Sequence, residues 1–399
     1  MAGQGLRISA VWSRRHTDVV GRSSSVAGIR KAMRMLGSVE DHFLSTVLEN
    51  GTVRPALRAG AWAVGSLLEH RPLSLQATLF ADPARHRALA DAVVRAEPDV
   101  LYLDGARTFP FFLALHQQGK VRRLVVDFDD LMSRRMSEYR QSGLVPLGYV
   151  ASMLPQWART LINQRVFGRA VLAYERVMLE RVERLMSEQA DAVVLVSPVD
   201  ASLLRDRLPP ALGHKVAVIP PCVDVVRPVE AMREPITFVL MGSDEQAHNR
   251  LTIDYLLSIW KSCRPAAPLV IAGPMTRTWP PVENVRFTGW IENASDLYKP
   301  GAVMLAPSFI RGGIKTKVLQ AFAHGCAAVG TEATFEGLPL SGYPFCFTSD
   351  EQLRAFLADL PRQVDALHAA AAFGQERLRE YFSRERFERA WQRVLSGDP

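Results

Sequence analysis

The chain has 399 residues, of which 48% are hydrophobic and 22% charged, and it carries a formal net charge of +7. This composition is typical of a folded protein large enough for two domains, and it excludes a disordered or fibrous chain. The four cysteines lack the spacing of a zinc site or a disulfide framework, and no apolar stretch reaches the roughly 18 residues of a membrane span.

The positive charge lies in the first part of the chain. Residues 1–180 contain 24 Lys and Arg against 16 Asp and Glu, whereas the remainder is nearly balanced. A one-sided positive field favours an anionic partner such as a lipid headgroup or a phosphate-linked acceptor. No nucleic-acid recognition motif accompanies it, so we expect no nucleic-acid partner. The N-terminus shows no secretory signal pattern, so we expect a cytoplasmic protein, with peripheral contact on the inner face of the membrane as an open alternative.

Short β-branched runs alternate with helical patterns from the start of the chain. This alternation predicts β-α units around a parallel sheet. The predicted strands are 6–12, 42–47, 100–103, 124–128, 192–196 and 215–219, and an amphipathic helix is predicted at 170–189. Polar residues follow several of these strands, as expected where strand ends open onto a crevice.

A second α/β series follows the proline-rich segment 220–235. Its predicted strands are 236–241, 269–271, 285–287, 303–306 and 327–329, with helices at 252–263 and 315–324 and a charged helical segment at 374–395. We therefore predict an α/β protein with two Rossmann-like domains, 1–226 and 227–379, facing each other across a cleft.

The most informative segment is 311–325, RGGIKTKVLQAFAHG. A predicted strand leads through the double glycine Gly312-Gly313 into a helix, so free N–H groups and the helix dipole point at the space above the turn. Glycine allows a ligand to approach the backbone closely, and Lys315 or Lys317 adds a mobile positive charge. The pattern is that of a diphosphate site. A tight turn with solvated lysines is the alternative.

The same segment resembles the signature of the group-1 sugar transferases, retaining glycosyltransferases of GT-B fold from bacterial surface polysaccharide synthesis. Their usual pattern is GGG-x-x-x-K-x-x-EAxAxGxPVV, followed by a Thr and by E-G-L. This chain matches it at 312–321, 328–329, Thr331 and 336–338, and weaker matches cover most of 191–338.

The resemblance implies a donor site in the second domain and the return of the C-terminal helix, 380–399, to the first. The residues implied to contact the donor diphosphate are Gly312, Gly313, Ile314 and Lys317. Gln320 would meet the nucleoside ribose, where the family usually has glutamate, so a charge-assisted hydrogen bond is lost. The loop that closes over the phosphates corresponds loosely to Gly242, Ser243, Asn249 and Arg250, although Arg250 can also be read as a surface arginine.

Two segments of the first domain are candidates for the acceptor side. Residues 21–25 precede a helix predicted to begin near Val26, and they resemble the family's first glycine-rich loop. That resemblance implies sugar contacts from Arg22 and Ser23, and a serine helix cap is the alternative. Asp127 and Asp129 lie at the end of the predicted strand 124–128. Their DxD spacing could bind a divalent ion, but we favour hydrogen bonds to sugar hydroxyls and expect no metal or other cofactor; solvated turn aspartates remain the alternative.

The sequence thus predicts a metal-independent glycosyltransferase that moves a sugar from a nucleotide sugar to a glycan or lipid-linked acceptor. The residues expected to act in catalysis are Lys317, Lys315, Arg250 and Asp127. A nucleotide-sugar epimerase and a non-catalytic homologue, the latter favoured by Gln320, stay open. The mixed apolar and basic segment 144–174 suits either a membrane interface or internal packing.

Overall fold

The structure, a computed structural model, describes residues 5–13, 23–46, 53–144, 160, 164–231 and 235–397. It divides into two compact units. Unit 1 comprises Met1–Ser137, Val166–Pro220 and Phe387–Pro399, and unit 2 comprises Glu138–Arg165 and Pro221–Arg386. The chain passes from unit 1 to unit 2 at Pro220–Pro221, shortly before the boundary predicted at residue 226.

Unit 1 is built on a parallel sheet of six strands in the order β2-β1-β3-β4-β5-β6. Its strands are β1 (Leu6–Trp12), β2 (Gly37–Phe43), β3 (Val100–Asp104), β4 (Leu124–Asp129), β5 (Ala192–Leu195) and β6 (Val216–Val218). The helices of this part of the chain are α1 (Ser23–Leu36), α2 (Val53–Leu68), α3 (Leu75–Thr78), α4 (Pro83–Ala96), α5 (Phe109–Gln118), α6 (Met132–Gln141), α7 (Arg165–Gln189) and α8 (Pro198–Arg207).

Unit 2 contains a second six-stranded parallel sheet, in the order β12-β11-β10-β7-β8-β9. Its strands are β7 (Thr237–Met241), β8 (Leu269–Ala272), β9 (Val285–Gly289), β10 (Ala302–Leu305), β11 (Ala327–Thr331) and β12 (Cys346–Phe347). The remaining helices are α9 (Ala247–Cys263), α10 (Thr316–Ala323), α11 (Glu332–Phe335), α12 (Asp350–Ala358), α13 (Val364–Tyr381) and α14 (Arg384–Ser396). The predicted α/β class with two Rossmann-like domains is confirmed.

The central strands are continuous apolar runs because helices cover both faces of each parallel sheet. All residues of β3, β5, β8 and β10 are buried. In unit 1, Trp12 stacks at a tilt on Tyr102 with ring centroids 4.9 Å apart. In unit 2, Trp260 packs its edge against Phe238 at 5.7 Å. These aromatic pairs fix the strands whose carboxyl ends carry the polar residues discussed below.

The C-terminal segment differs from the single helix predicted at 374–395. The structure has two helices, α13 and α14, which are separated at residues 382–383. The helix breaks because the Phe382 side chain is buried and its carbonyl accepts a hydrogen bond from the Val223 N–H, at 3.0 Å. From Phe387 onward the chain belongs to unit 1, where Trp391 meets the edge of Tyr102 at 6.0 Å and Arg123 donates to the Val394 carbonyl.

The strand predicted at 42–47 is wrong in position. The edge strand β2 begins at Gly37, which lies opposite Leu6 of β1. A side chain at position 37 would come within 1.9 Å of the Leu6 carbonyl oxygen, so only glycine permits this pairing. The sequence pattern missed the start of β2 because an edge strand with one solvated face, here bearing Ser38 and Glu40, lacks a continuous apolar run.

Within the described part of the chain, no helix combines the length and apolarity needed to cross a membrane. Most of the segment 144–174, for which a membrane or packing role was predicted, lies outside the described residues.

Candidate functional site

The sheet of unit 2 has a topological switch between β7 and β10. These two strands are neighbours, yet the chain continues from β7 to β8 and β9 on one side and from β10 to β11 and β12 on the other. Connections therefore leave the carboxyl ends of β7 and β10 in opposite directions, which opens a crevice where α/β proteins bind ligands. The segments 242–246 and 306–315 both leave the sheet at this edge, and each leads into a helix.

The double glycine forms the turn between β10 and α10. Gly312 and Gly313 have φ angles of +102° and +63°, the left-handed region that favours glycine. A side chain at position 312 would meet nothing within 4 Å, so the surface of the turn is open at that point. The Lys315 ammonium folds back on the turn and donates to the Gly312 carbonyl at 2.6 Å.

Threonine hydroxyls fasten the chain that precedes this turn. Thr331 Oγ1 donates to the Ser308 carbonyl at 2.5 Å, and Thr334 Oγ1 donates to the Ala306 carbonyl at 2.9 Å. From the other side, Thr252 Oγ1 donates to the Pro307 carbonyl at 2.9 Å. Because β11, α11 and α9 all hold this segment, the double-glycine turn starts from a fixed position.

The Glu336 carboxylate accepts hydrogen bonds from residues of this turn. Its Oε1 accepts from the Gly312 N–H at 3.0 Å, and its Oε2 accepts from the Arg311 guanidinium at 3.1 Å. In this arrangement the Gly312 N–H is engaged by a carboxylate rather than open to a ligand. The first N–H groups of α10, at Thr316 and Lys317, have no acceptor inside their own helix and carry its positive dipole end.

Lys317 and Asn249 bring the two edge segments together. The Lys317 Nζ lies 3.3 Å from Asn249 Oδ1, and Asn249 Nδ2 donates to the Ser243 carbonyl at 2.9 Å. Asn249 is only 8% exposed, so its amide is held between the lysine and the loop that follows β7. One amide side chain thus links the segment after β7 to the first turn of α10.

Gly242 makes room for this amide. A Cβ at position 242 would lie 2.8 Å from Asn249 Nδ2 and 2.9 Å from its Cγ. Gly273, at the end of β8, approaches the Gly242 carbonyl so closely that a Cβ there would come within 2.4 Å of it. The glycines at the ends of β7 and β8 are therefore required by packing, and the packing sets the position of Asn249.

The charge at this edge is positive. Burial and the neighbouring Lys315 ammonium lower the pKa of Lys317 to about 8. Arg250 lies next to Asn249 in the first turn of α9, and none of the described residues accepts a hydrogen bond from its guanidinium. Two helix N-termini, a half-buried lysine and an uncommitted arginine thus converge on the switch point, which suits an anionic ligand.

Gln320 follows Lys317 by one turn of α10. Its backbone is fixed, because the His324 ring donates from Nδ1 to the Gln320 carbonyl at 2.7 Å. Its side-chain oxygen Oε1 is buried and has no hydrogen-bond partner among the described residues. A buried acceptor without a donor is unfavourable, and a ligand hydroxyl that supplied the donor would relieve it.

Asp244 is a structural residue of the site that the sequence patterns did not identify. It is fully buried and accepts from the Thr276 N–H at 2.7 Å, the Thr276 hydroxyl at 2.9 Å and the Arg277 N–H at 3.0 Å. These bonds tie the loop after β8 to the loop after β7. The sequence feature that points to Asp244 is its position directly after Gly242-Ser243. Glu336 is part of the E-G-L match, but that match alone does not predict what its side chain binds.

In unit 1, Asp127 is buried rather than solvated. It is 1% exposed, and it accepts from the Tyr102 hydroxyl at 2.7 Å and from the Asp129 N–H at 3.0 Å. The alternative of a solvated turn aspartate is therefore wrong for Asp127. Asp129 has a φ angle of +66° and sits at a register shift between β4 and β5.

Within the described residues, no three His, Cys, Asp or Glu side chains are grouped so as to hold a metal ion.

The switch point of unit 1 lies between β1 and β3. There Asp104 accepts from both the N–H and the hydroxyl of Ser13, at 3.1 and 2.8 Å. The sequence patterns assigned neither residue. Of the acceptor-side candidates, Arg22 lies outside the described residues. Ser23 is the first residue of α1, so the helix begins before the start predicted near Val26.

Residues 235–356 match the family model of the glycosyl transferases group 1. The matched segment runs from just before β7 into α12 and contains every residue of the unit 2 site described above. This part of the chain is therefore similar to the glycosyl transferases group 1 over 122 of the 399 residues. No curated protein matches the chain.

Solved structures share the fold at low sequence identity. The sucrose-phosphate synthase of Thermosynechococcus elongatus has a TM-score of 0.64 at 14% identity, with 98% of each chain covered. Anabaena HepE, in complex with UDP-glucose, has a TM-score of 0.61 at 13% identity, covering 98% of this chain and 100% of HepE. TarM has a TM-score of 0.53 at 10% identity, and this chain spans 58% of its length while 77% of this chain is covered. The architecture is therefore GT-B.

Proposed function

We propose that the protein is a glycosyltransferase whose unit 2 binds the diphosphate of a nucleotide-sugar donor. The observation that carries this proposal is the meeting of Lys317 and Asn249, 3.3 Å apart, at the switch point of the sheet. Positive side chains and helix N-termini are concentrated there, and the group-1 family match covers the same residues.

The donor is proposed to be a uridine diphosphate sugar. Anabaena HepE, which shares the fold, was solved with UDP-glucose. In this chain, the diphosphate would lie above the double-glycine turn, with Gly312, Gly313 and Ile314 beneath it and Ser243 at the opposite loop. The nucleoside ribose would supply a hydroxyl to the buried Oε1 of Gln320.

Catalysis is proposed to be electrostatic. Negative charge develops on the leaving diphosphate as the glycosyl bond breaks, and cations placed in advance stabilise that state more than the ground state. Lys317 and Arg250 are the proposed catalytic cations, and Lys315 would join them by releasing the Gly312 carbonyl. We propose transfer with retention and without a metal, and assign no enzymic nucleophile.

The acceptor is proposed to be a glycan or lipid-linked glycan bound by unit 1. The excess of Lys and Arg in residues 1–180 supports an anionic or phosphate-linked acceptor. Asp129, at the carboxyl end of β4, is the proposed hydrogen-bonding residue of this side. Asp127 is too deeply buried for the predicted contact with substrate and instead positions Asp129 by accepting from its N–H, while the Tyr102 hydroxyl holds Asp127 in one orientation.

The proposal is tested by incubating the protein with UDP-, GDP- and TDP-sugars, with and without a membrane lipid extract. Acceptor-dependent release of UDP, unchanged by EDTA, is expected with a UDP-sugar. Release from the GDP- or TDP-sugars alone would contradict the proposed donor. A changed sugar without nucleotide release and without acceptor would identify an epimerase. Nucleotide binding without either reaction would identify a non-catalytic homologue, the alternative that Gln320 favours.

A further inference from the structure

Carboxylates surround the start of the double-glycine turn. Glu336 accepts from the Gly312 N–H at 3.0 Å and from the Arg311 guanidinium at 3.1 Å, and its side chain is only 8% exposed. The N–H of Arg311 donates in the same way to Glu138 of unit 2, at 3.0 Å. A third carboxylate, Glu332, shares the Arg311 guanidinium at 2.9 Å but is 61% exposed. Two consecutive N–H groups of the turn are therefore occupied by carboxylates.

The charges around this turn and α10 are unevenly distributed. At the start of the turn, these three carboxylates outnumber the two cations, Arg311 and Lys315. In the first turns of α10 and α9, Lys317 and Arg250 form no ion pair with any described residue. A ligand that lies along this edge therefore meets net negative charge beside the double glycine and positive charge beside Lys317.

The proposed position of the donor determines which of its ends faces Glu336. With the ribose at Gln320, one turn beyond Lys317 on α10, the chain order places the double glycine at the opposite end of the site. The β-phosphate, which carries the sugar, is therefore the end nearest Gly312 and Glu336. In a nucleotide sugar this phosphate has one negative charge because the sugar esterifies it, whereas the terminal phosphate of UDP carries about 1.5 to 2 at pH 7.

We propose that Glu336 makes the site discriminate the nucleotide-sugar donor from the nucleoside diphosphate product, an inference that rests on the proposed function. Its carboxylate holds the N–H nearest the β-phosphate and repels additional negative charge there. The sugar of the donor removes one of those charges and presents hydroxyls, which a carboxylate accepts. UDP instead turns a more highly charged terminal phosphate toward the same carboxylate. Glu336 therefore weakens the product more than the donor and favours release of UDP after transfer.

The position of Glu336 makes its charge effective. Because the side chain is largely buried, water and salt screen its carboxylate less than that of the exposed Glu332. The Gly312 N–H and the Arg311 guanidinium hold it from two directions, so it stays beside the turn. Arg311 neutralises part of the charge, but it is shared between Glu336 and Glu332, and a net negative charge remains.

The test compares the binding of UDP and of UDP β-methyl ester, which has the charge of the donor but no sugar, by isothermal titration at pH 7. Glu336→Gln removes the charge but keeps an oxygen that can accept from the Gly312 N–H. It should lower the Kd about tenfold for UDP and about threefold for the ester, because the terminal phosphate of UDP carries roughly twice the charge. Glu332→Gln is the matched control, since it removes an equal charge from the same Arg311 but not from the turn, and it should leave both Kd values unchanged.

An equal change for the two ligands in Glu336→Gln, or no change, would overturn this inference and leave the donor site standing. The same preference for UDP in Glu332→Gln would also overturn it, because any nearby carboxylate would then have the effect. Failure of UDP to bind the wild type would remove the donor site and this inference with it. Thermal unfolding checks the folding of each variant. If Glu336→Gln does not fold, Glu336→Ala, which also frees the Gly312 N–H, should show at least the same gain for UDP over the ester.

Discussion

The Lys317 ammonium lies 3.3 Å from the amide oxygen of Asn249, and this contact joins the first turn of α10 to the loop after β7. Asn249 is itself held by the Ser243 carbonyl and by the close approach of Gly242. The lysine is therefore positioned by packed groups rather than by a flexible ion pair. A cation held in this way is ready to receive an anion without further ordering, which is the property that transition-state stabilisation requires.

Donor binding should depend on the charge of Lys317. Its pKa is lowered to about 8, so the free protein carries the ammonium below pH 8 and loses it above. Because a diphosphate binds the charged form, the Kd for UDP should rise about twofold from pH 7 to 8 and toward tenfold per pH unit above that. Isothermal titration of UDP between pH 7 and 10 measures this. Lys317→Arg should show a flat profile over that range, and a wild-type profile equally flat would contradict the assignment.

Gly242→Ala should damage both the fold and the site. The new methyl group would lie less than 3 Å from two atoms of Asn249, whose side chain is buried and hydrogen-bonded to the Ser243 carbonyl. We expect a loss of about 1–3 kcal/mol in the free energy of unfolding and weaker UDP binding, since Asn249 must move away from Lys317. The control is Gly60→Ala, where the added methyl meets nothing within 4 Å. That variant should be neutral or slightly stabilised because alanine favours the helix.

The residues of the double-glycine turn show which features of the site the sequence predicts and which it does not. The spacing of Gly312, Gly313 and Lys317 placed a phosphate-type turn before a helix, and the structure has that turn between β10 and α10. The engagement of the Gly312 N–H by Glu336 could not be predicted, because it joins residues from two loops through a turn whose path depends on tertiary packing.

Replacing Gln320 by leucine should raise the stability of the fold and weaken the binding of UDP. Its Oε1 is buried without a donor, an arrangement that costs about 1–3 kcal/mol in the folded protein. Gln320→Leu should therefore unfold at a higher temperature, and it should bind UDP more weakly if the oxygen receives a ribose hydroxyl. Thermal unfolding with and without UDP checks both effects. Equal stabilisation of wild type and variant by UDP would remove Gln320 from the nucleoside site.

Unit 1 should lose stability as the pH rises toward neutrality, through Glu183. Burial raises the pKa of this carboxyl to about 7, although Ser133 donates to it from its N–H at 2.9 Å and its hydroxyl at 2.5 Å. The folded protein then holds a proton that the unfolded chain releases near pH 4.5. The stabilisation is complete below pH 4.5 and is lost as the pH rises through 7.

Glu183→Gln tests this directly. The wild type should lose about 1–3 kcal/mol of unfolding free energy between pH 5 and 8 relative to the variant, as measured by urea denaturation. Arg207, 3.4 Å from the carboxylate, and Asp130 are the other charged groups acting on Glu183. Because Arg207 lowers the pKa of Glu183, Arg207→Gln should increase the loss of unfolding free energy between pH 5 and 8 relative to the wild type. Parallel pH profiles for the wild type and Glu183→Gln would show that this carboxyl does not titrate in the range.

The most direct measurement of the central claim is the affinity for UDP, determined by isothermal titration at pH 7, of the wild type, Lys317→Met and Lys261→Met. Lys261 is an exposed lysine at the far end of α9 and serves as the matched control. Loss of a charge-assisted bond of about 1.5–3 kcal/mol predicts a Kd about 10 to 100 times higher for Lys317→Met, with Lys261→Met unchanged. Equal affinities for all three proteins, with folding intact, would contradict the diphosphate site at the double-glycine turn.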